Sequence, residues 1–309
     1  MLISQTASSL LTLLFLMIPG IVFRKKGILN ESQNNGLNAF VVNAAWPCMV
    51  INAMQIDFDI SVLKESGNMM GKMLIIFAII CFLCLVTAKC LNVDRKRRSL
   101  FIFMSVFGNT GFIGIPLVQL MCGEMSAFYA SILEAANDIL IFTFGIFIMQ
   151  KASEEGKGFS LKNFLNPCFI GSVIGLILFV FQIKLPGFIA GPVEMLSSAT
   201  TPVAMIVLGF QLGGLKLKDF CGDKLCYATV LMKLVIAPLI TFAVLKIWTS
   251  SYPADTTLLI DMGMPVAVMS ALLSQKYDND TALATKAILI STLGLFVSVP
   301  LCTLLISLL

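Results

Sequence analysis

The chain has 309 residues, of which 58% are hydrophobic and 12% are charged. Soluble domains carry about 25% charged residues, so this composition argues strongly against a water-soluble globule. The net charge is +4, but the basic residues fall mostly in short loops, which argues against a nucleic-acid partner. Histidine is absent, which excludes His-based zinc sites, Ser-His or Cys-His dyads and haem ligation by histidine. The nine cysteines lie mostly in apolar segments and predict packing residues, not a metal site.

A bilayer core requires about 20 apolar helical residues, and ten segments of the chain reach that length. They predict an all-α polytopic membrane protein. The first segment is followed, not preceded, by basic residues, so we expect a retained span and not a signal peptide. The predicted spans cover residues 3–23, 32–54, 69–91, 99–122, 126–150, 167–183, 191–213, 222–247, 255–276 and 281–307.

The distribution of lysine and arginine predicts the orientation. Alternate loops, starting after the first span, hold 14 of these residues, whereas the other loops hold four: Lys64, Lys72, Lys184 and Lys246. Cytoplasmic loops carry the excess of positive charge, so we expect a cell (cytoplasmic) membrane protein with both termini outside. The long polar loop 152–166 is then cytoplasmic, and it separates a first five-helix unit (1–151) from a second (167–309).

The two units show signs of an internal repeat. Pro47 in span two corresponds to Pro202 in span seven, and Pro116 in span four to Pro265 in span nine. Because each unit has an odd number of spans, the second is inverted relative to the first. The pattern predicts two inverted five-helix repeats, an arrangement found in secondary transporters.

Spans four and nine are each interrupted by glycine and proline, at Gly108–Pro116 and Asp261–Pro265. Such breaks are tolerated within a bilayer only when they are buried in protein or line a polar cavity, and a matched pair indicates a binding site. We expect each proline to begin a second half-helix whose amides attract an anion. The alternative is a pair of kinked, closely packed helices. The substrate-binding candidates are Asn109, Thr110, Gly111, Pro116, Gly263, Pro265, Lys233 and Asn43.

Charged residues within the spans form a second group of candidates, because a charge at that depth is usually paired and functional. Lys233 lies halfway along span eight and is expected to attract an anion or to pair with Asp138. Glu134 and Asp138 share one helix face and are candidates for proton coupling. The alternative is a purely structural ion pair. The predicted polar network consists of Glu134, Asn137, Asp138 and Asp261.

Several motifs resemble those of the auxin efflux carrier family. They are Arg24–Leu29, the Asn43 to Pro47 stretch, the run Gly108–Leu117, and Met264–Ala267. The run Gly108–Leu117 is the most specific of them. The plant carriers have Asn-Pro-Asn-x-Tyr at the first break, whereas this chain has Gly-Asn-Thr-Gly-Phe at 108–112, which favours a general carboxylate over an auxin.

The resemblance implies a fold shared with bile-acid sodium symporters, in which spans four and nine cross where they unwind. Spans 1, 2, 6 and 7 would form a scaffold that often dimerises, and spans 3–5 and 8–10 a transport domain. Substrate would lie between the two near Asn109, Pro116 and Pro265, and an elevator-like or rocking movement would expose it alternately.

We therefore expect a secondary active or facilitative transporter of a small organic anion such as malate, malonate or an auxin-like acid, and not an enzyme. No nucleotide-binding loop and no cofactor are expected, apart from possible Na⁺ or H⁺ coupling. The predicted partners are the anion, the lipid bilayer and a second copy of the chain. The alternatives are a sodium-coupled anion symporter and, behind it, a channel or sensor.

Overall fold

The computed structural model describes residues 2–152, 167–214 and 223–309, and these residues are almost entirely helical. The predicted all-α class is therefore confirmed, while the predicted linker 152–166 lies outside the described residues except for Ala152, which ends α8. The helices are α1 Leu2–Lys25, α2 Glu31–Phe40, α3 Trp46–Ala53, α4 Ile60–Cys90, α5 Arg95–Val106, α6 Ile115–Cys122, α7 Glu124–Leu140, α8 Ile146–Ala152, α9 Pro167–Val180, α10 Gly187–Gly213, α11 Lys224–Leu231, α12 Ala237–Ile247, α13 Tyr252–Met262, α14 Met269–Lys276 and α15 Thr281–Ser307.

Four π-helical stretches join some of these helices within the described part of the chain. They are π1 Val41–Ala45, π2 Thr110–Gly114, π3 Ile141–Gly145 and π4 Met232–Ile236. Single π-helical turns inside α-helices occur frequently at functional sites. The stretches π1, π3 and π4 lie inside the long helices Glu31–Ala53, Glu124–Gln150 and Lys224–Ile247, whereas π2 begins the helix Thr110–Cys122.

Seven described helices are long and apolar enough to cross a membrane. The other three predicted spans take a different form. The sixth span is the short helix α9, and the fourth and ninth are each divided into two helices. Large apolar side chains such as Phe15, Phe82 and Val297 are exposed on the outer faces of the long helices, as contact with lipid requires.

Asparagine and aspartate begin several of the helices. Their side-chain oxygens accept a hydrogen bond from an amide of the first turn, which satisfies one of the donors that a helix start leaves unpaired. Before α2, the cap is reciprocal, because the Gln33 side chain also accepts a bond from the amide of Asn30. These capping residues are Asn30, Asp59, Asp94, Asp223 and Asp280.

Helices α1 and α10, from predicted spans one and seven, touch along glycines. A Cβ atom on Gly20 would lie 2.0 Å from the carbonyl oxygen of Ile206, and one on Gly209 would lie 2.0 Å from that of Met17. Each helix thus presents a glycine to the backbone of the other. Small residues allow this close approach, which is the usual way in which helices associate in a bilayer.

A buried ion pair connects α4 with the start of α13. The Lys72 ammonium lies 2.7 Å from Oδ1 of Asp255 and donates to Ser250 Oγ, and its side chain is fully buried. The charge count placed Lys72 with the external loops, although the predicted span 69–91 already contains it. Helix α4 begins at Ile60, so this residue lies well inside the helix. The neighbouring Glu65 accepts hydrogen bonds from Tyr129 of α7 and from Ser251.

Candidate functional site

The two interrupted helices meet at their breaks. Helix α5 ends at Val106 and α13 at Met262, and the segments that follow run antiparallel for a single bridge between Gly108 and Val266. The Asn109 amide donates to the Pro265 carbonyl at 2.7 Å, and the Ala267 amide donates to the Phe107 carbonyl at 3.2 Å. Each break therefore supplies partners for the backbone groups that the other leaves unpaired, as a low-dielectric interior requires.

Two serines of α15 support the second break. Ser291 Oγ accepts a hydrogen bond from the Val266 amide at 3.0 Å, and Ser298 Oγ donates to the Gly263 carbonyl at 3.0 Å. Both side chains are fully or almost fully buried. Neither serine was predicted from the sequence. Their spacing of seven residues, two helical turns on one face of an apolar span, is the signal that would have indicated them.

The prolines of the breaks are not the first residues of the second half-helices. The first half-helix restarts at Thr110 with π2 and continues as α6, in which Pro116 is the second residue. Pro265 lies in the extended segment before α14, which begins at Met269. The prediction that each proline begins a half-helix is thus wrong by several residues. The first half-helix starts at Thr110, before Pro116, and the second starts at Met269, after Pro265.

A cavity of about 400 Å³ lies beside the crossing. It is bordered by the first break, by residues 267–269 that follow the second break, by α2 and π1, by α7 and π3, and by α10. The predicted site residues that line it are Asn43, Asn109, Thr110, Gly111, Glu134, Asn137 and Asp138. Further lining residues not singled out as site candidates from the sequence include Asn35, Asn38, Trp46, Gln211 and Met269. The structure therefore brings most of the first break and the polar face of span five to one cavity.

A chain of hydrogen bonds joins span five to the first break. Asn137 Nδ2 donates to Thr110 Oγ1 at 3.2 Å, and the Thr110 hydroxyl donates to Glu134 Oε2. Asp138 lies next to this chain and also lines the cavity. The charged side chains on the described wall are thus two carboxylates, Glu134 and Asp138, without a lysine or arginine. An anion would enter this cavity readily only if a proton or a metal cation offset their charge.

Lys233 and Asp261 lie behind the breaks and do not line the cavity. The Lys233 ammonium is fully buried and donates to the Val106 carbonyl at 3.1 Å. It contacts the face of Gly108 that points away from the cavity, where a Cβ would come within 3.0 Å of Nζ. Pro116, Gly263 and Pro265 are also away from the described wall. These five residues support the crossing instead of facing a solute in this conformation.

Only glycine fits at position 111, because an aromatic side chain packs against it. A Cβ atom at this position would lie 1.8 Å from Cζ2 of Trp46, a distance that no small adjustment relieves. The Trp46 ring also packs against Phe112, with the ring centroids 5.0 Å apart. The first break thus fits against π1 and α3 only because this residue has no side chain.

A second cavity, of about 590 Å³, adjoins the first and shares the lining residues Gln211 and Val268 with it. Arg24, Lys286 and Glu31 line its wall. Arg24 forms an ion pair with Glu31, and its guanidinium lies 4.5 Å from the centre of the Phe210 ring. The second cavity lies on the side of the molecule where α1 ends and α15 begins, and the shared residues form part of both walls.

The family model for membrane transport proteins matches residues 6–303. A relative from Methanocaldococcus jannaschii, described as an uncharacterized transporter, is 26% identical over 294 residues, which cover 91% of this chain and 92% of the relative. Another uncharacterized transporter, from Methanothermobacter thermautotrophicus, is 22% identical over 310 residues, covering 97% and 98%. These names agree with the prediction of a transporter that is not an enzyme. The chain therefore belongs to the membrane transport protein family, that of the auxin efflux carriers, and is a multi-pass membrane transporter.

Proposed function

We propose that the protein is a secondary transporter that carries a small organic anion, of the size of malate or malonate, through the central cavity. The observation that carries this proposal is the position of two helix starts on the cavity wall. Thr110 begins the helix Thr110–Cys122 and Met269 begins α14, and both residues line the cavity. The first amides of a helix have no acceptor within it, and its dipole favours negative charge at that end. In α14 the amides of Ser270 and Ala271 already donate to the carbonyls of Ala267 and Val268, so a carboxylate would accept from the Met269 amide there and from the first amides of the helix Thr110–Cys122.

The two carboxylates of span five make the transport cation-dependent in this proposal. Glu134 and Asp138 would repel a free anion, so each transport cycle includes a cation that binds beside them. A proton on Glu134 is one possibility, with Thr110 and Asn137 holding the side chain in place. Sodium is the other, because the oxygens of Glu134, Asn137 and Thr110 are the hard ligands that it prefers. The uptake assay therefore includes both cations.

The second cavity supplies the route of access. Arg24 and Lys286 place positive charge on its wall, which attracts anions from solution towards the shared residues Gln211 and Val268. By the charge bias of the loops, this side is cytoplasmic, both termini lie outside, and loop 152–166 is cytoplasmic. In this orientation, the cavity of the present conformation opens to the cytoplasmic side of the cell membrane.

The proposed architecture has ten crossings in two inverted repeats, 1–151 and 167–309. Spans 1, 2, 6 and 7 form a scaffold that pairs with the scaffold of a second copy, and the remaining spans carry the site. The close contact of α1 with α10 through Gly20 and Gly209 supports a rigid scaffold. The cavity lies between α2, π1 and α10 on one side and the two breaks on the other, so an elevator-like or rocking movement exposes it to each side alternately.

Uptake by proteoliposomes tests the proposal. Purified protein is reconstituted and the entry of labelled malate and malonate is measured with an imposed proton gradient, a sodium gradient, or neither. We expect uptake driven by one of the two gradients. Asn109→Ala and Glu134→Gln should reduce uptake at least tenfold, whereas Asn68→Ala and Glu194→Gln, at exposed positions, should leave it unchanged. Uptake of these and related carboxylates that is absent, or equal for all four variants, would overturn the proposed site.

A further inference from the structure

Lys233 occupies an unusual position for a buried lysine. It belongs to π4, and its side chain extends to the first break, where Nζ donates to the carbonyl oxygen of Val106 at 3.1 Å. Val106 is the last residue of α5, so this oxygen lies at the negative end of the helix dipole. The ammonium therefore stabilises one of the carbonyls that the end of α5 leaves without a partner in its own helix.

Asp261 is a buried acidic residue near Lys233, at the end of a second helix. It lies in the last turn of α13, close enough to Lys233 for electrostatic attraction, and its side chain is 1% exposed. No group in the described part of the chain forms a hydrogen bond with its Oδ1 atom. A Cβ atom on Gly114 would approach this oxygen to 2.9 Å, so the atom lies against the opposite break. The carbonyl at the end of α5 thus accepts a hydrogen bond from the ammonium, and the carboxylate in the last turn of α13 attracts it.

We propose that the Lys233 ammonium takes the place of a free monovalent cation at the crossing, and that its removal leaves a site for sodium or potassium. Backbone carbonyls at the ends of interrupted helices, together with a carboxylate, are the oxygen ligands by which transporters bind sodium. Here the carbonyl of Val106 and the carboxylate of Asp261 have these roles, and a side chain of the protein supplies the charge.

The vacated position is reachable from the central cavity. Gly108 lines that cavity, and a Cβ atom added to it would lie 3.0 Å from Cε and Nζ of Lys233, so no side chain stands between this part of the wall and the ammonium. In the native protein, the cation of the transport cycle is then restricted to Glu134 and Asp138. This last consequence rests on the proposed function, whereas the presence of a latent cation site does not.

The experiment measures thermal unfolding of detergent-purified protein without any added solute. Each protein is compared in sodium chloride, potassium chloride and N-methyl-D-glucamine chloride at equal ionic strength. We expect the melting temperature of Lys233→Ala to rise with sodium or potassium, saturably and by about 3–6 °C more than that of the wild type, because a ligand of the folded state stabilises it by mass action. An unchanged difference between Lys233→Ala and the wild type in all three salts would overturn the proposal.

Two controls separate this site from a general effect of salt. Lys233→Ala/Asp261→Asn removes the carboxylate and should not respond. Lys72→Ala is the matched control, because Lys72 is equally buried and pairs with Asp255 of the same helix α13, but at its first turn, where no helix-end carbonyls gather. A response of the same size in either control would overturn the proposal.

The recovery of folded protein provides a second measurement if Lys233→Ala is unstable. Recovery in sodium but not in N-methyl-D-glucamine would support the proposal. If Lys233→Ala is recovered in neither salt, the double variant decides, because it lacks the unpaired carboxylate and is expected to fold. Its failure to fold would count against the proposed role of Asp261. Since no solute is present, the result does not depend on which anion the protein carries.

Discussion

The ion pair between Lys72 and Asp255 allows a quantitative prediction. The two charges lie 2.7 Å apart, the lysine is fully buried, and the carboxylate also accepts from the Ser250 amide at 2.7 Å. At an effective dielectric constant of about 20, charges this close attract by about 6 kcal/mol, and much of that attraction offsets the cost of removing both from water. Removal of one partner should therefore cost far more than removal of both.

The two single variants should differ in a defined order. In Lys72→Met, the carboxylate of Asp255 keeps the Ser250 amide and lies in the first turn of α13, where the helix dipole favours it. In Asp255→Asn, the ammonium loses this charged partner and keeps the Ser250 hydroxyl and the Trp248 ring, 5.8 Å away. We expect a loss of stability of about 3–5 kcal/mol for Asp255→Asn, less for Lys72→Met, and about 1 kcal/mol for the double variant.

Thermal unfolding in detergent at constant salt measures these differences. At about 2 °C per kcal/mol for a chain of this length, Asp255→Asn should lower the melting temperature by roughly 6–10 °C. The double variant Lys72→Met/Asp255→Asn should recover most of this loss. If the double variant melts as low as the worse single variant, or if Asp255→Asn melts like the wild type, the pair does not hold α4 against α13 as described.

Three further outcomes are expected. Gly111→Ala should abolish uptake and lower the melting temperature, because its Cβ would overlap Trp46, whereas Gly36→Ala, with open space around the Cβ, should be neutral or stabilising; equal behaviour of the two would refute the packing argument. Gly209→Ala should destabilise the protein by at least 1–3 kcal/mol, roughly the cost of overpacking, as measured by denaturation, because its Cβ would meet the backbone of α1. Burial raises the pKa of Asp223, but hydrogen bonds from Arg97 and the Cys226 amide outweigh it and lower the pKa overall, so this carboxylate stabilises the fold above its unfolded pKa and the effect is lost as pH falls through the folded value. The difference in melting temperature between the wild type and Asp223→Asn should therefore be largest near pH 7 and shrink below about pH 4, and a constant difference would contradict this assignment.

The features that the sequence predicted well are those that depend on local composition. Seven of the ten apolar segments form described helices long enough to cross a membrane, and the glycines and proline in residues 108–116 predict an interrupted helix that lies next to a cavity. Glu134 and Asp138 are four residues apart, which predicts a shared helix face, and both line the cavity. Each of these inferences needs no knowledge of which segments are neighbours in the fold.

The features that were not predicted from the sequence depend on residues that are far apart in the chain. Lys72 is buried because Asp255, 183 residues away in the chain, lies opposite to it, and a hydropathy average cannot detect such a pair. Lys233 was expected to face a solute, but π4 and the packing of α5 direct its ammonium to a backbone carbonyl instead. Ser291 and Ser298 are small polar residues of a kind common in apolar spans, and only the folded structure shows that their hydroxyls bond to backbone groups of the second break.

The π-helical stretches affect how the cavity can change during evolution. Three of the four in the described chain, π1, π2 and π3, contribute residues to the cavity wall. A π-turn holds about one residue more than an α-turn, so deleting a single residue from one of them would restore regular winding and leave the helix beyond it facing the same way. A one-codon deletion in such a stretch therefore removes one residue from the cavity wall in a single mutational step, while the flanking helix faces stay in register.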